Sequence, residues 1–244
     1  MADRERSQID SPERNSADEL DKSEGAISKR FDRIARRYDR VNDVVSMGQS
    51  RRWRRLTVAA IKPERGQRIL DVAGGTGSSA APLAAEGATV TICDISDGMV
   101  EVGRARHPEI EFIVGNAMEL PFDGQTFDAA TVSFGLRNMP DPGAALREIA
   151  RVVKRGGALV VTEFSHPTHM ALRAAYGPYL RFVLPAVAGL ISGDRDSYEY
   201  FATSIKKWPN QHELAVLIAD AGWADVEHRN LSGGIVAIHT ATRA

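Results

Sequence analysis

The stretch Arg68-Ile-Leu-Asp-Val-Ala-Gly-Gly-Thr-Gly77 joins a short apolar run ending in an acid to a glycine-rich turn. Such a segment leaves a buried strand, lets a ligand approach bare backbone, and enters a helix. Gly74, Gly75 and Gly77 lack Cβ atoms and so permit unusual dihedrals and close contact. Ser78 to Ala84 then reads as a helix opening on the same crevice, where its N–H groups favour anionic or polar ligands. Gly75-Thr-Gly-Ser-Ser-Ala80 also fits G-x-G-x-x-A, the dinucleotide fingerprint. Asp94, at the end of the next apolar run, can accept the two ribose hydroxyls of either a dinucleotide or an adenosyl ligand. Spacing alone leaves NAD and S-adenosylmethionine both open.

Three features favour S-adenosylmethionine. Asp71 stands directly before the turn, where a carboxylate suits an ammonium and a sulfonium and repels a pyrophosphate. Asn116-Ala117, after the third apolar run, offers a polar side chain and a backbone N–H to an adenine edge. The chain also closes on two strand-like runs, Asp225–Arg229 and Gly234–Thr240, joined by Asn-Leu-Ser-Gly-Gly. That is a hairpin signal, and methyltransferase sheets end in such an antiparallel pair.

The elements that must position these residues follow from periodicity. Strands are expected at 68–73, 89–93, 110–114, 127–133 and 157–164, and helices at 77–86, 96–106, 141–154 and 210–221. Strands separated by helix-length segments imply βαβ units and a parallel sheet. Phe31, Ile34, Ala35 and Tyr38 share one helical face. The first 26 residues are polar and charged and read as a disordered tail. Residues 27–244 then form one α/β domain, with a helical cap at 27–62 and an insert at 165–205.

The totals exclude several classes. The 244 residues suffice for one large core, and 43% are apolar. A net charge of −1 gives no global pull toward nucleic acid, and the single cysteine, Cys93, allows no internal disulfide. No secretory signal is visible, and a cytoplasmic protein is expected. No run of 18 or more apolar residues occurs. Phe182 to Ile191, interrupted by Pro185 and Gly189, reads as a core or subdomain helix, with an apolar wall for a greasy ligand as the alternative.

Beyond the glycine turn the chain resembles the C-methyltransferase family of ubiquinone and menaquinone biosynthesis, from about Ser28 to His239. The matching stretches are Phe31-Asp-Arg-Ile-Ala-Arg-Arg-Tyr-Asp39 with Asn42, Leu70 to Gly77, Phe134-Gly-Leu-Arg-Asn138, Gly193-Asp-Arg-Asp-Ser-Tyr-Glu-Tyr200 with Ser204-Ile205, and Asn230-Leu-Ser-Gly-Gly-Ile-Val-Ala-Ile-His239. The resemblance implies a class I S-adenosylmethionine-dependent methyltransferase fold, Rossmann-like, with a C-terminal antiparallel hairpin. It implies cofactor contacts at Thr76, Asp94, Asn116, Ala117 and Ser133, beside Asp71 and Gly75. The family usually carries an acid after Gly-Thr-Gly; here that position is Ser78.

The implied reaction is C-methylation of a prenylated hydroquinone ring, demethylmenaquinol in the reading taken here. A benzoquinol acceptor, another small-molecule O- or N-methyltransferase and a non-catalytic quinone-binding assembly protein are the alternatives. A phenol-like hydroxyl costs roughly 4 kcal/mol to ionise at pH 7, so the site must offer positive charge, donors or a base. Arg137 and Asn138, after the fourth strand at the crevice mouth, are the candidates: Arg137 to stabilise the oxyanion, Asn138 to orient it. The competing reading of Arg137 is a loop ion pair with Asp141. Glu163, His166 and His169 look like metal ligands, but Pro167 spoils a regular display and methyl transfer needs no metal; no metal site is assigned. His169 is a candidate base, and Tyr198 and Tyr200 line a ring pocket or pack.

A prenylated acceptor lives in a bilayer. Ten Lys/Arg against three Asp between Lys29 and Arg55, with Trp53 among the arginines, suggest peripheral contact with an anionic membrane face. No nucleic-acid-binding motif accompanies that charge. A homodimer is left open.

Overall fold

The computed structural model describes residues 20–244. Residues 1–19, most of the stretch read as a tail, lie outside the described residues. The rest of that stretch is not tail. Helix α1 (Glu24–Ile34) begins inside it, because Ile27 packs into the core and Glu24 bonds to Asn116. Helices α2 (Tyr38–Val45) and α3 (Gln49–Ile61) complete the segment expected as a cap.

The sheet is built by β1 (Arg68–Val72), β2 (Thr89–Asp94), β3 (Glu111–Val114), β4 (Phe127–Ser133) and β5 (Val153–Phe164). Between them lie α4 (Ala81–Ala85), α5 (Asp97–Arg106) and α6 (Pro142–Val152). After β5 come α7 (Met170–Pro178), a π-helical turn (Tyr179–Val183), α8 (Leu184–Ser192), α9 (Arg195–Lys207) and α10 (Gln211–Asp220), and then β6 (Trp223–Leu231) and β7 (Val236–Arg243). Strand order is β3-β2-β1-β4-β5-β7-β6, with β7 alone antiparallel to its neighbours. This is the class I methyltransferase sheet.

Side-chain caps set the helix starts. Ser96 accepts from the Met99 N–H, Asp141 from Ala144 ahead of Pro142, and Asn210 and Glu213 form a capping box on α10. The helix expected at 77–86 shrinks to Ala81–Ala85, because Gly75 and Gly77 take positive φ and hold residues up to Ala80 in turns. β5 starts four residues earlier than expected, at Val153, which pairs with Phe127 ahead of an irregularity in the β4 register.

Apolar layers cover both sheet faces. Leu146, Ile149, Leu214 and Ile218 of α6 and α10 pack on one; Trp53 and Ile61 of α3 with Leu83 of α4 pack on the other. A third cluster joins cap to insert through Ile34, Val41, Leu180, Leu184 and Ala188. The run Phe182–Ile191 is therefore a subdomain helix rather than a core helix. Met170–Ser192 forms one helical segment of 23 residues with mean hydropathy 1.3, yet only 22% of its apolar window is buried. By length and composition it is a membrane-span candidate, which the sequence expectation of none did not anticipate; the charges Arg173 and Arg181 break the apolar run without lowering the mean enough.

Candidate active site

A cavity of about 680 Å3 opens at the carboxyl ends of β1, β2 and β4. There the strand order reverses, the position at which open α/β sheets bind ligands. The polar end is the glycine turn. Gly75 (φ +57°) donates its N–H to Asp94 Oδ2 at 2.8 Å, and Ser96 N–H donates to Asp94 Oδ1 at 2.9 Å. Burial pushes the Asp94 carboxyl up, opposed by those two N–H groups. Each oxygen keeps a second lone pair for a hydroxyl of a ligand.

Thr76 and Ser78 donate their hydroxyls to one carboxylate, Asp39 of α2, at 2.7 and 2.6 Å. Arg106 bridges to the same carboxylate from α5. The acid that meets the turn at Ser78 thus comes from the cap, 39 residues upstream. Sequence reasoning missed it because the contact is long-range, although Asp39 closes the stretch Phe31 to Asp39 that carries the family resemblance.

Gly75, Thr76, Asp94, Asn116, Ala117, Ser133 and Asn138 all line the cavity, so the structure brings together every expected site residue except Asp71 and Arg137. Ser133 Oγ and Asn138 Oδ1 are buried without a partner among the described residues, which suits a polar ligand between them. Asn116 is committed otherwise: its Oδ1 accepts from Met118 N–H at 2.9 Å and its amide donates to Glu24. Reading a base edge there therefore falls to the backbone at Ala117.

Asp71 lies beneath the turn, not on the cavity wall. Its Oδ1 accepts from Thr131 Oγ1 at 2.7 Å, and its Oδ2 is so close to Gly74 that a Cβ there would sit 2.8 Å away. Burial pushes its carboxyl up to about 7, with the Asp94 charge adding and the Thr131 hydroxyl opposing. The cradle is tight elsewhere too. A Cβ on Gly135 would come within 2.4 Å of Ala73 Cβ. Ala73 (φ +54°) and Phe134 (φ +60°), which follow β1 and β4, both adopt left-handed backbone, a strain that clusters at ligand sites.

Arg137 is not at the crevice mouth and does not pair with Asp141. It is 0% exposed and paired with Glu163, 1% exposed, at 3.0 Å. Its guanidinium lies over the rings of Phe164 and Phe201, 5.1 and 4.6 Å from their centroids. Burial pushes the Glu163 carboxyl up, and Arg137 with two backbone N–H groups pulls it back. The short helical turn Leu136–Asn138 explains the difference: it points Asn138 into the cavity and Arg137 beneath it.

The remaining candidates separate. Tyr198 and Tyr200 are buried and pack, the latter under Arg30; Phe201, unremarked in the sequence, reaches the cavity instead. His166 bonds to the Trp208 carbonyl, and His169 is exposed off the cavity wall, which removes it as a base. Cys93 is buried in β2, its thiol pushed up to about 12 chiefly by burial. Trp53 is buried against Phe134 and Phe164 and donates to Ser232, so it is no membrane anchor. The cavity wall also carries the aromatic residues Phe31, Tyr38, Phe134, Phe164, Tyr176 and Phe201. A chamber with both polar and aromatic walls takes a nucleotide-like ligand and a flat apolar one together.

The ubiE/COQ5 methyltransferase family matches residues 19–243. The demethylmenaquinone methyltransferase of Paenarthrobacter aurescens is 51% identical over 224 residues, covering 92% of this chain and 88% of the relative. That of Renibacterium salmoninarum is 53% identical over 222 residues, covering 91% and 94%. Among solved structures, the cyclase SpnF superposes with a TM-score of 0.65 at 19% identity, covering 90% of this chain and 96% of its own. A SAM-dependent methyltransferase from Thermotoga maritima, described as a possible histamine N-methyltransferase, gives 0.64 at 22%, covering 88% and 99%. These two share the fold, and their differing descriptions illustrate that the fold does not choose the reaction.

Proposed function

The chain belongs to the ubiE/COQ5 methyltransferase family, and from that premise we propose that it transfers a methyl group from S-adenosylmethionine to a ring carbon of demethylmenaquinol. The observation that carries this reading is the cavity itself, lined both by Asp94, Thr76 and Ser133 and by the aromatic residues Phe31, Phe134, Phe164 and Phe201. The names of relatives about half identical over nearly the whole chain supply the acceptor.

S-adenosylmethionine, when bound, supplies a methyl carbon activated by its sulfonium. Asp94 would hold its ribose hydroxyls on the lone pairs that Gly75 and Ser96 leave, Ala117 would meet the base edge, and Thr76 with Ser133 would fix the rest. Asn138 is placed to orient an acceptor oxygen, its Oδ1 being buried and unpartnered. The acceptor would release a hydroxyl proton to solvent, and its ring carbon would form the new C–C bond as the C–S bond breaks and S-adenosylhomocysteine is left. Loss of the ring C–H proton with reprotonation of the oxygen would restore the aromatic quinol, one proton being released overall. Aromatic walls exclude water and strengthen attraction between the oxyanion and the sulfonium. Arg137 is a positioning residue in this scheme: it braces Asn138 and the rings of Phe164 and Phe201 from below. Lys22 is a cationic side chain on the wall itself; burial lowers its pKa, Arg137 adding to that and Glu163 opposing.

A methyl-transfer assay with reduced demethylmenaquinone and a demethylated benzoquinol side by side tests the proposal. Preferential methylation of the naphthoquinol at a ring carbon is expected. Tight S-adenosylmethionine binding with no transfer to either quinol would defeat it. We read the acceptor as reaching the cavity from a bilayer, because its prenyl chain partitions there.

A further inference from the structure

The helical segment Met170–Ser192 has two faces with different duties. Its inner side supplies Leu172, Tyr176, Tyr179 and Leu184 to the cavity wall. Its outer side carries a row of exposed apolar residues at helical spacing: Ala171, Ala175, Pro178, Phe182, Ala186 and Leu190. Phe182 is 63% exposed and Leu190 88%, with Met170 equally bare at the start. Large apolar side chains left in water along one stripe mark an interaction surface.

We propose that this outer face of α7 and α8 docks the protein on an anionic lipid bilayer and hands the prenylated acceptor into the cavity. Charge favours lipid over other occupants. The 23 residues contain Arg173 and Arg181 and no carboxylate, and the Arg181 guanidinium lies 5.2 Å from the Phe182 ring centroid. An apolar stripe flanked by arginines is the pattern of a helix lying in the interfacial plane. The stripe is also continuous with the substrate path, since Ala175 is both exposed and on the cavity wall. Spanning is a poorer solution: Leu180, Leu184 and Ala188 are buried against the cap and α9, and would have to be torn from that packing.

The basic cap is the weaker candidate for this contact. Arg33 is tied to Asp194, Arg37 to the Ser192 carbonyl, Arg51 and Arg54 to Asp43, and Arg30 to the Tyr200 ring. Half of the ten cations counted there therefore have internal partners.

This inference rests on the prenylated-acceptor reading, and the test separates the two. The full chain is cosedimented with phosphatidylcholine vesicles and with vesicles containing phosphatidylglycerol. The variant Phe182→Ser/Leu190→Ser is compared with the parent, with Arg181→Glu, and with Val216→Ser, an exposed apolar position outside the stripe. Expected are at least tenfold weaker binding to the anionic vesicles for the first two variants and no change for the third. Turnover on a vesicle-borne long-chain quinol should fall in proportion, while turnover on a short-chain, water-soluble naphthoquinol stays at the parent value. Unchanged vesicle binding by Phe182→Ser/Leu190→Ser would overturn the proposal. So would loss of binding only in Arg40→Glu/Arg55→Glu, which would move the contact to the cap, or a shift from dimer to monomer in sedimentation velocity without loss of vesicle binding, which would make the face a contact between copies. Failure of the parent to methylate any quinol would sink the functional reading, and vesicle binding would still decide the docking surface.

Discussion

Replacing Arg137 by alanine should unfold the protein more than it empties the site. The Arg137–Glu163 pair is sealed from solvent at 3.0 Å, and the carboxylate also accepts from the backbone N–H of Arg137 and Phe164 at 3.3 and 2.8 Å. Removing the guanidinium strands a buried anion, which costs about 3–5 kcal/mol. At about 2–4 °C per kcal/mol for a chain of this size, the melting temperature should fall about 6–20 °C. Replacing both partners by uncharged residues of similar volume, Arg137→Met with Glu163→Gln, leaves no buried charge, and the amide oxygen at position 163 can still accept from the backbone N–H groups. The double variant should therefore melt above Arg137→Ala by about 4 °C or more, for about 2 kcal/mol. Thermal melts of the parent, Arg137→Ala, Glu163→Gln and the double variant measure this, with calorimetry of S-adenosylhomocysteine alongside. Affinity for that product should stay within threefold, while turnover falls at least tenfold in both Arg137 variants because Asn138 loses its brace. If Arg137→Ala melts within about 2 °C of the parent while turnover collapses, the guanidinium works in the cavity itself, and the buried pair is not what holds it.

Three further outcomes are expected. Asp71 holds its proton in the native state up to about pH 7, whereas an unfolded aspartate releases it near 3.9; the native state binds more protons between those values, so stability falls as pH rises through that window, by up to about 4 kcal/mol. Asp71→Asn should thus gain melting temperature over the parent progressively from pH 4 to pH 8, and parallel curves would reject the assignment. Asp39→Ala removes the acceptor shared by Thr76 and Ser78 and should weaken S-adenosylhomocysteine binding by up to about thirtyfold in calorimetry, from two hydrogen bonds of about 1 kcal/mol each; unaltered affinity would mean the cap does not hold the turn. Gly135→Ala should weaken binding and stability together through its 2.4 Å collision with Ala73 Cβ, an overpacking cost of about 1–3 kcal/mol, and Ala73→Gly in the same chain should restore both; failure of that rescue would place the fault elsewhere.

The parallel strands were legible because each is an apolar run closed by an acid, a glycine or a serine, and Phe127–Ser133 was bounded to the residue. The hairpin was legible in Asn-Leu-Ser-Gly-Gly, and Gly233 and Gly234 do take positive φ there. What sequence could not carry was direction and distance. Phe134 to Asn138 announced a site, but which of Arg137 and Asn138 faces the cavity depends on Glu163, 26 positions later. Asp39 meets Ser78 only once the cap has folded over the turn. Tyr198 and Phe201 share a helix, and the turn of that helix, not residue type, sends one into the core and the other to the cavity. Phe182 to Ile191 had the composition of an inner helix, and composition is blind to which side of it finds partners.

The roof over the cavity is stitched from segments far apart in the chain. Arg33 reaches Asp194, Arg37 reaches the Ser192 carbonyl, and Tyr179 donates to the Val45 carbonyl. The outer stitch is an exposed ion pair, worth about 0–1 kcal/mol and weakened by salt, whereas the sheet below is held by extensive buried packing. The weakest tie of cap to insert is therefore the one between α1 and the start of α9, and its parting would loosen the edge of the lid while the buried cluster of Val41, Leu184 and Ala188 holds α2 to α8. Lid opening of this kind commonly limits turnover. The exit of spent cofactor would then set the pace of the cycle, and that pace would quicken with ionic strength even as the proposed attraction to an anionic bilayer weakens.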